Sequence, residues 1–169
     1  ILGKIELVAA DNMINKLKMV KNETEIKHLK LASEIAESGM TAIKDSIKEG
    51  ISRDELAIIW KEKIYSHSKS AALNGSWEYI SVGDNPWGGN GRVKEGDLIK
   101  VDVGCLVDGY SSDGARTFIF GEPSNTKLEI YDALLSGFQA GCSQLRPGKQ
   151  LKDIYWATLS AIRARGFSS

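Results

Sequence analysis

VDVGCLVDGYSSDGARTFIF, residues 101–120, is two runs of strand-forming residues hinged on Asp108-Gly109. Asp-Gly favours a two-residue type I′ turn, whose central residues both take positive φ, so the pattern predicts a β-hairpin over residues 97–120. That turn sets Val107 opposite Tyr110, and counting back pairs Asp102 with Ala115 and Asp113 with Gly104. Because side chains alternate faces along a strand, Asp102 and Asp113 then share a face as diagonal neighbours, roughly 7–8 Å apart at Cα. Ile99, Val101, Val103 and Phe118 fall on the opposite face, where the sheet is expected to pack under helices. A three-residue loop with a bulge would change this register.

Working outward, Ile26, Leu29, Leu31, Ile35, Met40, Ile43 and Ile47 recur at helical spacing through residues 23–48. Asn22 or Thr24 can cap this helix and Gly50 can end it. Ser52, followed three residues later by Glu55, makes a capping-box pattern ahead of Leu56, Ile59, Trp60 and Ile64, which predicts a second helix. A strand is expected over residues 77–82, followed by a Gly- and Asn-rich loop to Gly91. Ser124 can cap a third helix with Ile130, Leu134, Leu135, Phe138 and Cys142 on or near one face, broken at Arg146-Pro147-Gly148. A fourth runs over residues 151–165 and ends at Gly166. Helices flanking clustered strands define an α+β fold, an antiparallel sheet covered by helices. No internal repeat or low-complexity tract interrupts it.

A chain of 169 residues, 42% hydrophobic and 26% charged, is long enough for one substantial core. Its 22 basic and 22 acidic residues cancel, leaving no electrostatic footprint for nucleic acid or an anionic membrane surface. No apolar run approaches the roughly 18 residues of a spanning helix, and acids interrupt the start where a secretory signal would be apolar. A soluble, cytoplasmic protein is the expectation. Cys105 and Cys142, far apart and in apolar surroundings, read as buried thiols of a reducing compartment. Trp60, Trp77 and Trp156 read as core, Trp87 as a pocket wall or interface residue in its Gly-rich loop, and His28 and His67 as solvated surface.

Two ionised carboxylates in a partly dry cleft repel, which raises one pKa unless a cation lies between them. Oxygen ligands without thiols favour manganese, magnesium or calcium, and zinc, cobalt or iron if imidazoles join the set. A hydrolytic metal pair roughly 3.5–4 Å apart would need bridging carboxylates of this kind. The competing reading leaves both aspartates solvated or paired with Lys100 and Arg116. Other chemistries fare worse. Ser111-Ser112 has no neighbouring histidine to activate a hydroxyl, GDNPWGGNG lacks the Lys-Ser/Thr of a phosphate-binding loop, and DGYSSDG lacks the glutamate and spacing of a calcium loop.

The wording of the whole segment, EGDLIKVDVGCLVDGYSSDGARTFIFGEPS, resembles the hairpin of the pita-bread metallopeptidases, in the Xaa-Pro dipeptidase and aminopeptidase P branch. Gly96, Asp97, Leu98, Asp102, Gly104, Gly109, Tyr110, Ser112, Asp113, Arg116, Thr117, Phe118 and Gly121 match that family's pattern. MVKNETEIKHLKLASEIAESGMTAI and GISRDEL resemble its preceding helix and connection, and the likeness spans about residues 19–166.

The resemblance implies half of a pita-bread fold, with residues 1–20 the tail of a preceding domain or a linker and 21–169 the first half of a catalytic domain. It implies that Asp102 and Asp113 are metal ligands, Asp102 chelating one ion and Asp113 bridging two. It also implies two divalent ions, manganese first with cobalt or zinc as alternatives, a peptide substrate with proline in second place, and a homodimer. A non-catalytic binding module of the same shape and a methionine aminopeptidase are the other readings. Two departures accompany the likeness. The family's later ligands, a His and two glutamates, have no counterpart before Ser169, so an inactive internal fragment with an exposed apolar patch is expected. The family's loop histidine is also missing, with Asp84, Asn85 or Trp87 in its neighbourhood.

Overall fold

The computed structural model describes residues 8–68, 73–83 and 91–167. Asp84, Asn85 and Trp87, at which the pocket wall and the counterpart of the loop histidine are expected, lie outside the described residues. The elements in chain order are α1 (Asp11–Met19), α2 (Glu23–Ser46), α3 (Arg53–Ser68), β1 (Leu73–Val82), β2 (Leu98–Val107), β3 (Tyr110–Ser111), β4 (Gly114–Ile119), α4 (Asn125–Cys142) and α5 (Leu151–Ala164). Backbone contacts divide the chain into two compact units, residues 1–120 and 121–169.

In the first unit β2 is the central strand, antiparallel to β1 on one side and to β3 and then β4 on the other. Its alternation decides which face is dry. Ile99, Val101, Val103, Cys105 and Val107 are all buried, together with Ile80 and Val82 of β1. Against them lie Ala32, Ile35, Ala36, Met40 and Ile43 of α2 and Leu56, Trp60 and Ile64 of α3, completing one core. Burying a side chain of the Val, Leu or Ile class contributes about 1.5–3 kcal/mol, so this one-sided arrangement strongly disfavours the register that would turn β2 over.

The helix starts are built as the sequence predicts. The Asn22 side chain accepts the Glu25 N–H at 3.0 Å, and Glu25 Oε2 accepts the Asn22 N–H at 2.7 Å. Ser52 and Glu55 make the same reciprocal pair, at 3.2 Å and 2.8 Å. Helix α2 ends at Ser46, two residues early, and the positive φ of Gly50 falls in the connection beyond it. Strand β1 begins at Leu73, four residues earlier than its β-branched and aromatic residues alone indicate. Helix α1 buries none of its residues.

The second unit is the antiparallel-helix pair α4 and α5, and here the sequence reading needs correction. The line of α4 that packs on α5 is Ala133, Gly137 and Gly141, all buried. A Cβ added at Gly137 would meet Ile162 Cγ1 at 2.6 Å, and one at Gly141 would collide with Thr158 Oγ1. Small residues four apart let the backbones approach. The apolar face read from the spacing is the open one: Ile130, Leu134, Leu135 and Phe138 are exposed, as are Cys142 of α4, read as buried, and Trp156 of α5, read as core. Cys142 is therefore no buried thiol, because Gly141, one position and about 100° away, holds the contact line. The expectation of exposed apolar surface is met by these helices.

Candidate metal centre

The turn that positions the two aspartates is a two-residue one. Asp108 and Gly109 have φ of 49° and 81°, the pair of positive values that a type I′ turn demands. Asn74 Oδ1 accepts the Gly109 N–H at 2.9 Å and ties the turn to β1. The register beyond it matches the count from the turn: Val107 faces Tyr110, Leu106 faces Ser111 and Asp102 faces Ala115. Between β3 and β4 the ladder is interrupted at Ser112 and Asp113, yet Val103 still faces Gly114, so no residue has been inserted.

Asp102 therefore points away from the core, flanked by Tyr79 on β1 and Ala115 on β4. One step nearer the turn, Trp77 faces Gly104, and a Cβ at 104 would meet the indole Cζ2 at 2.5 Å and collide with the Ser112 carbonyl oxygen. Only glycine leaves room there. The indole of half-buried Trp77 thus lies over the strand beside the carboxylates rather than in the core.

Both aspartates keep access to solvent. Partial desolvation against the sheet, then the charge of Asp113 and a hydrogen bond shared with its carboxylate, hold the Asp102 carboxyl above the ordinary carboxylate range. The pairing that would leave them without a site is not made by Arg116. Its guanidinium sits on the helix side of β4 and donates to Glu37 Oε2 at 2.9 Å and to the Ala115 carbonyl at 2.8 Å. Alternation explains this, since Arg116 faces Val101 of the buried row.

Two like charges close enough to share a proton fit a hard divalent cation, which would stabilise both ionised forms at once. Among the described residues no third His, Cys, Asp or Glu joins them to make a group of three. Asp102 and Asp113 are thus a pair of neighbouring carboxylates and, among the described residues, not a group of three or more.

Three features escaped the sequence reading. His28 is half-buried between α2 and the hairpin turn, its Nε2 3.5 Å from Asp108 Oδ2 and its ring 5.4 Å from that of Tyr110, so it is not a free surface residue. The Tyr110 hydroxyl donates to Glu25 Oε1 at 3.1 Å, which joins the start of α2 to the hairpin and raises the phenol's pKa. Ser112, 5% exposed, bonds Cys105 through its side chain. Helical and strand periodicities carry no signal for such cross-element bonds. His67 is exposed, as expected, and Cys105 is buried, which pushes its thiol pKa up.

The model of metallopeptidase family M24 matches residues 27–169, and the chain belongs to that family. It is 30% identical over 172 residues to the uncharacterized peptidase YqhT of Bacillus subtilis, covering 99% of this chain and 48% of YqhT. It is 29% identical over 166 residues to the Xaa-Pro dipeptidase of Pyrococcus horikoshii, covering 96% of this chain and 47% of that one. Among solved structures, the prolidase of Pyrococcus horikoshii superposes with a TM-score of 0.85 at 26% identity, over 93% of this chain and 46% of that one. The Xaa-Pro dipeptidase of Bacillus anthracis gives 0.84 at 26% identity, over 92% and 45%. The α+β architecture is thus that of about half a pita-bread prolidase, and the chain spans about half the length of the curated relatives it matches.

Proposed function

We propose that this chain is part of a divalent-metal-dependent exopeptidase that cleaves Xaa-Pro dipeptides or N-terminal Xaa-Pro bonds, with Asp102 and Asp113 among its metal ligands. The observation that carries the reading is the pair of solvent-open carboxylates brought side by side by the hairpin register, Asp102 on β2 and Asp113 in the break before β4, with Asp102 held above its ordinary range by partial desolvation and then by the charge of Asp113. That arrangement is costly for a bare protein and suited to a cation. Membership of a metallopeptidase family and likeness to Xaa-Pro dipeptidases support it.

Two ions, with manganese the first choice for an oxygen-rich donor set, are the proposed complement. When bound, such ions supply Lewis-acid polarisation of a peptide carbonyl and a water nucleophile at neutral pH. The chain's own contribution is to present two carboxylate groups, one from β2 and one from the break between β3 and β4, with the Trp77 ring over the neighbouring Gly104. Residues 1–169 alone are expected to show no turnover, because only two of the described donors meet. A cytoplasmic homodimer completes the proposal, supported by exposed free Cys142, which suits a reducing compartment, and by the exposed apolar side chains of α4 and α5.

The test is Mn²⁺-dependent release of the first residue from Xaa-Pro peptides by the protein at its full natural length, beside Asp113→Asn. The variant is expected to lose at least about 100-fold in kcat, in the range reported for removing a group that holds the reacting charge. Equal activity in both proteins would sink the ligand assignment. Absence of activity in either, with folding intact, would favour the non-catalytic binding module.

A further inference from the structure

Resting on the reading of Asp102 and Asp113 as metal ligands, we propose that Ser112 is a positioning residue for them. Its hydroxyl replaces a backbone carbonyl in the ladder, and the carbonyl so released lets the peptide leading into Asp113 turn toward the open face, which sets the direction in which that carboxylate is presented beside Asp102.

In an unbroken antiparallel ladder a hydrogen-bonded pair exchanges two N–H···O=C bonds. Cys105 and Ser112 stand in that register, and one bond is made, from the Ser112 N–H to the Cys105 carbonyl at 2.9 Å. The reciprocal one goes elsewhere: the Cys105 N–H donates to Ser112 Oγ at 3.1 Å. The hydroxyl in turn donates to the Cys105 carbonyl at 3.3 Å, so its own hydrogen is satisfied. The Ser112 carbonyl oxygen, released from the ladder, accepts from Ser111 Oγ at 2.9 Å. It stands where a side chain at Gly104 would be, on the open face of the sheet that also carries Asp102.

The displacement is local. Pairing is regular through Tyr110–Ser111 on one side and Gly114–Ile119 on the other, so the turned peptide is confined to the step before Asp113. Ser112 is nearly dry, and without its hydroxyl the Cys105 N–H would have no water to turn to. The chain would then recover the lost bond by swinging the residue-112 carbonyl back into the ladder. That motion turns back the peptide leading into Asp113 and re-aims its carboxylate relative to Asp102.

Mn²⁺ is titrated into the full-length protein and followed by the electron paramagnetic resonance of the free ion, for the parent, Ser112→Ala, Ser112→Thr and Asp113→Asn, with a urea midpoint for each. Ser112→Ala is expected to bind Mn²⁺ about 10–100-fold more weakly, the loss typical of removing a group that orients a ligand. Ser112→Thr keeps the oxygen and is expected to restore affinity to within about threefold of the parent, on the same scale. A crystal structure of Ser112→Ala is expected to show the Cys105 N–H on the residue-112 carbonyl and the Asp113 carboxylate re-aimed. Parental affinity in Ser112→Ala beside a failed Asp113→Asn overturns the positioning role and leaves the ligand assignment standing. Parental affinity in Asp113→Asn removes both. Weak binding in Ser112→Ala with Asp113 in its parental orientation assigns Ser112 a merely structural part and overturns the proposal. If Ser112→Ala does not fold, Ser112→Cys, whose sulfur is a weak acceptor, carries the same expectations.

Discussion

Asp102 carries a pH signature whose sign follows from its surroundings. Its folded pKa lies above the unfolded value, so between the two the folded chain keeps a proton that the unfolded chain has released. Stability therefore falls as pH rises through that window and is greater below it. Asp102 is open to solvent, so screening keeps the effect small. Without metal, Asp102→Asn is expected to flatten this slope and raise the urea midpoint at pH 7; an unchanged slope would contradict a raised Asp102 pKa. Gly104 makes a second prediction at this scale. Gly104→Ala drives a methyl into the Trp77 ring and the Ser112 carbonyl, and is expected to cost about 1–3 kcal/mol by urea titration. The register of the pair was legible because Asp-Gly names its own turn and the count from it is rigid. Ser112 was not, since nothing in a strand pattern says that a hydroxyl will take a carbonyl's place.

Helices show both the reach and the limit of periodicity. Asn22 and Ser52 were legible as caps because capping is a local contract between a side chain and the next turn. The packing face of α4 was misread because apolar spacing shows where a helix is greasy, whereas Ala133, Gly137 and Gly141 show where a neighbour fits. That line of small residues was the available signal. Gly141→Leu is expected to force α4 from α5, lowering thermal stability of that helix pair by circular dichroism, although leucine is the better helix former by nearly 1 kcal/mol. A gain in stability would show that the close approach is dispensable. Trp60 and Trp156 mark the same contrast: the first is fully buried and the second 54% exposed. Trp60→Ala is expected to cost about 3–5 kcal/mol, and Trp156→Ser to stay within about 0.5 kcal/mol in residues 1–169.

For the whole molecule, a formal net charge of zero at pH 7 coincides with exposed apolar side chains such as Phe138, Leu151 and Trp156. Without net repulsion such surface self-associates most readily near neutrality. Light scattering of residues 1–169 against pH is expected to peak near pH 7 and fall on either side; a flat profile would remove charge from the explanation. The global α+β reading succeeded where one face of a sheet is dry, since that condition is written in strict alternation along β2. It could not extend to the partners of α4 and α5, which alternation within one element does not encode.

The two-residue turn at Asp108-Gly109 has a consequence for how this hairpin can vary in length. Side chains on one face of paired strands, counted across such a turn, differ in position by an odd number, as Asp102 and Asp113 do by eleven. One inserted or deleted residue, unless absorbed as a bulge, would send one aspartate into the core beneath α2 and leave the other outside. Two would slide the pair along the face without parting their sides. Parity is thus a constraint on insertions and deletions that composition does not reveal, and viable length variants of this hairpin should differ by pairs of residues.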